Sequence, residues 1–444
     1  MSRYETYKPS GIEWIGDIPK DWKVVSLKNI LLSMTNGTTV TQDPFEEGIP
    51  VTRIETISDG TINIENTGII PSDKGIEDYY LNNGDILFSH INSFEYVANC
   101  AIFDLDIKLL HGMNLLRFIP NKNRIEPYFL IYLIKSDYFK KLTQSVCNRA
   151  INQVSISNSK LKNFKIVIPE DKSEQLAIAN YLDDQTQKID RLIANKKAQA
   201  EKLKELRQIE INNAVTKGLN ANAEMKDSGI EWLGKIPKYW EVNRLKNTTF
   251  INQSVISEKT TPEYLIKYID ISNVNSMGEF IELQEMEFSE APSRARRIPK
   301  HNSILLSTVR TYLRAIALVQ NPDENLIAST GFAVIDANEN IFDAGYLYYQ
   351  MISHILVERV IANSEGVSYP AISSTKLGDI KIVIPPKKEQ TEIANYLQQR
   401  TTAIDQLIKN IEAQIEKLQE LRKIKIYEAV TGKIKVNAYA ETTA

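Results

Sequence analysis

Two stretches of the chain carry a hydrophobic period that recurs nowhere else in it. After Pro169 and again after Pro386, about forty residues run without Gly or Pro. In the second stretch Leu397, Ile404, Ile411 and Leu418 recur every seven residues, at position a of a heptad. Ile393, Leu407 and Leu421 fill position d, with polar Arg400, Gln414 and Glu428 between them. The first stretch keeps the same frame: Leu182, Ile189 and Leu203 at a, Ile178, Leu192 and Leu206 at d, broken by Lys196 and Gln199. Heptads of this kind predict a coiled-coil seam between two long helices. The alternative, each helix packing alone on its own lobe, makes no use of the matching frames.

Chain length chooses the orientation. A forty-residue helix spans roughly 60 Å. The first helix ends near Gly218, and only about ten residues separate it from Ser228, where the next recognisable segment begins. Ten residues reach at most about 36 Å. A parallel pair would force the chain back along the whole helix, whereas an antiparallel pair needs no return path. The expectation is an antiparallel coiled coil separating two lobes, related by a pseudo-twofold axis.

Outside the helices the pattern is mixed. Short β-branched or alternating runs at 62–64, 86–88, 166–168, 304–306, 316–319 and 382–384 predict strands, and helical patterns at 127–142 and 344–361 interrupt them. The class is α+β. The expected boundaries are an N-terminal segment 1–22, a first lobe 23–169, a first spacer helix 170–218, a repeated segment with the second lobe 219–386, a second spacer helix 387–434 and a tail 435–444.

The repetition reaches beyond the helices. SGIEWIGDIPKDW at 10–22 returns as SGIEWLGKIPKYW at 228–240, and the two copies hold all four tryptophans. KIVIP at 165–169 returns unchanged at 381–385. EQLAIANYL at 174–182 pairs with EQTEIANYL at 389–397, and KLKELR at 202–207 with KLQELR at 417–422. The offset drifts from 218 to 215, and similarity fades between the unit ends. Two equivalent scaffolds thus carry two different faces. If the repeat is symmetric, the first tryptophan segment docks at the end of the second helix, near 427–434, with Trp14 and Trp22 as packing anchors.

Composition changes this picture little. The chain is 43% hydrophobic and 25% charged, ordinary for a globular protein of two or three domains. Two cysteines make neither a disulfide framework nor a metal site. No apolar run approaches a membrane span and no secretory signal opens the chain, so no membrane association and a cytoplasmic location are expected. Charge is more informative, because the net −3 hides segregation. Residues 36–106 carry thirteen acids against two bases, and 107–165 carry eleven bases, Arg117 and Lys160 among them, against two acids. In the second half, 261–293 hold seven acids and one base, whereas 294–314 hold Arg294, Arg296, Arg297, Lys300, Arg310 and Arg314 with no acid. Basic faces on a near-neutral chain suit a polyanion bound at a defined place; solvated surface charge is the plain alternative.

A search for catalytic chemistry comes back empty. Gly229-x4-Gly234-Lys235 imitates a phosphate loop, but Ile236 and Pro237 follow where a Ser or Thr and a helix are needed. Glu170-x-Lys172 has a nuclease-like spacing, but its repeat counterpart keeps no carboxylate, and its acids better suit a helix N-terminus. The four histidines are scattered without metal-ligand spacing. Recognition remains. The loop 89–94 with His90 and Asn92, the run Arg149 to Gln153 with Asn152, the loop Thr308 to Arg314, and Ser368 with Tyr369 offer amide, guanidinium and aromatic groups suited to base edges.

The ordered set SGIEW…IP…W, KIVIP…EQ…IANYL and KLxELR…AVT, written twice around divergent lobes, resembles the specificity subunit of type I restriction–modification enzymes. The resemblance covers essentially the full length. It implies two target recognition domains, each reading one half of a bipartite double-stranded DNA site. The helices would set the gap between half-sites and dock two methyltransferase subunits. It places adenine methylation, S-adenosylmethionine and DNA cleavage in partner modification and restriction/translocase subunits, so no catalytic residue, cofactor or metal is expected here. A two-headed protein adaptor and a stand-alone nuclease using Glu170 are the competing readings.

Overall fold

A computed structural model describes residues 2–42, 48–72 and 74–436; of the expected tail, 437–444 lie outside the described residues. The chain divides into two compact units, Met1–Lys196 with Ala413–Ala444, and Lys197–Glu412. Each therefore holds one lobe, part of the helix that follows it, and part of the other long helix.

In the first unit an antiparallel four-stranded sheet runs in the order Leu31–Asn36, Leu116–Pro120, Ile86–Phe88, Cys100–Ile102. The helix Pro127–Lys135 lies in its core. Proline at its first position suits a helix start, and Phe129 to Ile134 are all buried, as expected of a helix apolar all round. Lys23–Ser26 pairs with Lys165–Ile168, so the KIVI run is a strand whose Ile166, Val167 and Ile168 enter the same core. The predicted strand at 62–64 is not one. Asn63 instead accepts from the Glu65 amide and opens a 3-10 turn, Ile64–Asn66.

The second unit repeats this scaffold: Thr249–Ile251, Phe332–Ala337, Ile304–Ser307 and Ile316–Leu318 form the equivalent sheet, and Glu241–Arg244 pairs with Lys381–Ile384. It adds a second four-stranded sheet containing Leu265–Ile269, Leu326–Ser329 and Ala295–Arg297. The two lobes thus diverge where the sequence repeat fades.

The repeated motifs are clips. Glu174 accepts hydrogen bonds from Trp22 Nε1 at 3.2 Å and the Tyr4 hydroxyl at 2.6 Å. Its counterpart Glu389 accepts from Trp240 Nε1 at 3.1 Å and the Tyr239 hydroxyl at 3.1 Å. The neighbouring Gln175 donates to the Pro169 carbonyl at 2.9 Å and accepts from the Glu126 amide at 2.7 Å. Gln390 does the same with Pro385 and Asp343, both at 2.8 Å. Buried polar groups must be satisfied, and the EQ pair satisfies them at the start of each long helix.

Those helices span Lys172–Lys217 and Lys387–Val430. They run antiparallel within each unit: in the first Arg422 forks onto Asp190 at 2.9 and 3.2 Å, and in the second Arg207 meets Asp405 at 2.9 Å. Tyr396 and Arg400 also reach Glu210, at 2.8 and 3.1 Å. The a-position residues Leu182, Ile189, Leu397, Ile404 and Ile411 are buried and Leu203 and Leu418 are half-buried. The expected d row holds only at the start of each helix, where Ile178 and Ile393 are buried. Leu192, Leu206, Leu407 and Leu421 are exposed, and position e takes their place through Thr186, Ala200, Arg207, Thr401 and Ile408. Leu407 is 50% exposed beside fully buried Ile408, which fixes the seam.

The tryptophan segment folds as a short antiparallel ribbon, Tyr7–Pro9 with Asp17–Pro19, and in the second copy Met225–Asp227 with Lys235–Pro237. Lys235 thus opens a strand, where a phosphate loop needs a helix. The first copy docks at the end of the second helix: the Tyr427 hydroxyl donates to the Trp14 carbonyl at 3.1 Å, and Lys433 to the carbonyls of Ile15 and Asp17 at 2.8 and 2.6 Å. Trp22 is buried there, whereas Trp14 is 56% exposed, with its carbonyl held by Tyr427. Gly432, with φ +71°, leaves no room for a Cβ, which would collide with the Pro19 ring.

Candidate nucleic-acid interface

In the first unit, the strand Ile86–Phe88 leads into Ser89, His90 and the short strand Ile91–Asn92. This pairs with Gln153–Ser155, which pairs in turn with Asn148–Ala150. The small sheet brings Asn92, Arg149, Asn152 and Gln153 together although some sixty residues separate the loop from the hairpin. Arg149 lies over the Phe94 ring, 5.1 Å from its centroid, and ties hairpin to loop. Lys160 stands at the hairpin base, donating to the Val146 carbonyl at 2.9 Å and to Asn148 at 3.4 Å. His90 is the floor. It is buried, 3.4 Å from the Asn36 amide nitrogen, and burial holds its pKa below the usual histidine value by disfavouring the charged ring.

The second unit builds the same device from different chemistry. Ser307 ends the equivalent strand, and Val309 bridges to Ala371 at the foot of a hairpin loop closed by reciprocal Glu365–Ala371 backbone bonds of 2.8 and 2.9 Å. Here the loop supplies the cation and the hairpin the ring: Arg310 lies 4.5 Å from the Tyr369 centroid. Arg310 and Arg314 both adopt left-handed backbone, φ +51° and +53°, flanking the turn Thr311–Leu313. Two non-glycine residues held there carry strain of order 1–3 kcal/mol each. Arg314 is paired with Glu358 at 2.7 Å. Ser368 and Tyr369 are exposed at the hairpin loop.

Several expected contacts are otherwise engaged. Arg117 is buried mid-sheet, 2.6 Å from Asp85, and donates to the Asp78 carbonyl at 3.2 Å; it cannot reach a ligand and leaves the candidate set. Thr308 is buried, its hydroxyl donating to the Gly331 carbonyl at 2.9 Å, and leaves with it. Arg294 is held by Asp270 at 2.6 Å and the Tyr268 hydroxyl at 3.2 Å, and Arg296 lies 5.3 Å from the Phe288 centroid. Arg297 is half-buried against the Asn252 carbonyl at 3.5 Å. A backbone link through the turn 329–331 places Arg294 beside the Thr308 loop: Thr330 donates to the Arg294 carbonyl at 2.7 Å and Thr308 to that of Gly331 at 2.8 Å. Lys300 is exposed on a separate turn with His301.

The family model of the type I restriction modification DNA specificity domain matches residues 19–202 and 237–417. Over 435 residues the chain is 34% identical to the putative type I restriction enzyme MjaX specificity subunit of Methanocaldococcus jannaschii, covering 95% of this chain and 96% of that one. The chain belongs to the type I restriction–modification specificity subunits. A further relative, the MjaVIII specificity subunit of the same organism, is 28% identical over 207 residues, 46% of this chain and 47% of that one.

The fold likeness agrees. A chain solved in work on complex assembly and conformational transition of the type I R-M system has TM-score 0.71 at 16% identity, covering 94% of this specificity subunit and 99% of that chain. The HsdS subunit from Thermoanaerobacter tengcongensis has TM-score 0.50 at 17% identity, covering 94% and 98%. At such identities the likeness bears on the fold alone. Each matched region of this specificity subunit holds one loop-and-hairpin pair. Sequence reasoning included the loops that carry Phe94 and Tyr312 for their aromatic groups but did not single out the exposed hairpin tips Ile151 and Val367. The signal was available: bulky apolar residues inside polar, turn-rich runs.

Among the described residues no cluster of acids, histidines and cysteines is arranged to hold a metal. No helix among the described residues is long and apolar enough to cross a membrane. Glu170 is paired with Lys23, and Asp171 accepts from the Ser173 amide at 2.9 Å, a helix-start role that leaves the nuclease reading without support.

Proposed function

We infer that this chain is the DNA-reading subunit of a type I restriction–modification complex. Each unit reads one half of a bipartite double-stranded site through its loop and hairpin, and the paired helices set the spacing. The chain is the recognition component and not an enzyme; adenine methylation with S-adenosylmethionine, and cleavage, belong to the methyltransferase and restriction/translocase subunits it assembles with. Since that chemistry acts on host DNA, the complex works in the cytoplasm. One observation carries the reading: the same loop-and-hairpin device occurs in both units with its cation and ring exchanged, Arg149 over Phe94 in one and Arg310 over Tyr369 in the other. A common frame with different donors is what reading two different sequences requires.

The exposed d-row leucines support the docking role. Leu192 and Leu421 lie in the first unit and Leu206 and Leu407 in the second. One such patch per unit corresponds to two methyltransferase copies.

The test replaces Arg310 and Arg314 by Ala in the reconstituted complex and maps methylated adenines. Loss of a base contact costs about 1–3 kcal/mol, so methylation at one half-site should relax or fall by tenfold or more while the other half is read as before. Equal weakening at both halves would contradict the division of labour.

A further inference from the structure

Ile151 and Val367 occupy equivalent places. They are 216 residues apart, the offset of the flanking KIVIP strands. Each tops the hairpin of its unit, and each is wholly in solvent, 94% and 102% exposed. Neither packing nor turn chemistry accounts for them. The turn between Ala150 and Gln153 has two residues, Ile151 and Asn152. Asn152, at φ +61°, suits its place. Ile151 occupies a corner where Gly, Pro, Asn, Asp or Ser serve turns better. Val367 follows Gly366, at φ +107°, and precedes Ser368 in a loop whose foot is already closed by Glu365 and Ala371. The neighbouring chemistry differs, amides in one unit and a hydroxyl and phenol in the other, yet a β-branched aliphatic group stands at both tips.

Resting on the reading of these hairpins as DNA-facing, we propose that Ile151 and Val367 each read a thymine by contact with its 5-methyl group. In the major groove that methyl is the apolar feature of an A·T pair, and the adenine beside it takes a bidentate amide. Asn152 and Gln153 stand next to Ile151 to provide one. Ile can also wedge between base steps, but Val is not among the groups that do, and a wedge would not distinguish thymine from deoxyuridine. A tip that reads a methyl needs no pocket of its own. The base supplies the contact surface, so full exposure in the free chain is expected.

The experiment uses the complete specificity–methyltransferase complex on duplexes carrying its mapped target, with thymines replaced singly by deoxyuridine. Removing one buried methyl weakens binding about fourfold. One such position is expected in each half-site. Ile151→Gly should abolish the discrimination in its own half only, and Val367→Gly in the other, each variant binding the deoxyuridine duplex as the wild type does. Both positions lie in solvent, so neither variant disturbs a core. If the wild-type complex binds its target specifically but tolerates every deoxyuridine, or if a half-site contains no thymine, the methyl contact is wrong while DNA reading stands. Variants that weaken thymine and deoxyuridine duplexes equally would also overturn it. Absence of sequence-specific binding by the wild type would instead remove the reading beneath.

Discussion

Arginines alike in sequence do unlike work here, and burial is what separates them. Arg117 and Arg149 both come from the basic stretch after residue 107, but Arg117 is 6% exposed in its side chain against Asp85 at 4%. That ion pair belongs to the core. Removing one member of a buried pair leaves an uncompensated charge and costs about 3–5 kcal/mol. Arg117→Ala should therefore lower the urea midpoint of the isolated chain sharply, whereas Arg149→Ala, which loses an exposed stack on Phe94, should cost about 1 kcal/mol or less. Similar midpoints for the two variants would refute this sorting. No local pattern could have predicted it, because Asp85 stands just before the strand Ile86–Phe88, 32 residues away. The sequence reading did find Asn92, Arg149, Asn152 and Gln153 as polar loop residues, and the structure brings them together. Their assembly depends on a strand pairing between distant segments, which side-chain type does not report.

At the scale of elements, the long helices, the KIVIP strands and the doubled frame were legible because each rests on periodicity or repetition. The row that closes the seam was not. A heptad reader assigns the d leucines to the interface because they are the larger apolar groups. The actual second row is mixed: Ile408 is buried there, but so are Thr186, Ala200, Arg207 and Thr401, and two of its members, Arg207 and Arg422, carry the ion pairs to Asp405 and Asp190. Buried threonines are satisfied by tyrosines from the lobes, Tyr132 on Thr186 and Tyr349 on Thr401, each at 3.1 Å. A row that mixes isoleucines with threonines and arginines does not stand out against the d leucines in a sequence. The consequence is measurable. Leu206→Ser with Leu407→Ser should leave chain stability within about 1 kcal/mol and weaken association with the methyltransferase subunit. Ile404→Ser, inside the seam, should cost about 2–5 kcal/mol. Calorimetry of the chain and titration with methyltransferase separate the two; a double leucine variant that unfolds like Ile404→Ser would restore the d row to the seam.

For the whole molecule, the spacing function depends on helices that run unbroken through both units. Chain geometry alone would place an insertion near Val215, but Val215 is buried in the second unit and its carbonyl accepts from the Tyr346 hydroxyl at 3.2 Å. Four added residues there would break a lobe. The division between units crosses each helix once, between Lys196 and Lys197 and between Glu412 and Ala413. An insertion belongs at both crossings together, so that the antiparallel partners stay matched on either side. Four residues in each helix make one extra turn, about 6 Å, and enter the heptad frame as a stutter that unwinds the pair locally without ending it. Against a base-pair rise of about 3.4 Å, that length should move the preferred gap between half-sites longer by one or two base pairs. The half-site sequences themselves should not change, since neither loop nor hairpin is touched. Mapping methylated adenines in cells carrying the double insertion reads both quantities at once. An unchanged gap with full methylation would show that the helices do not measure the DNA, and an altered half-site would show that reading and spacing are not separate parts.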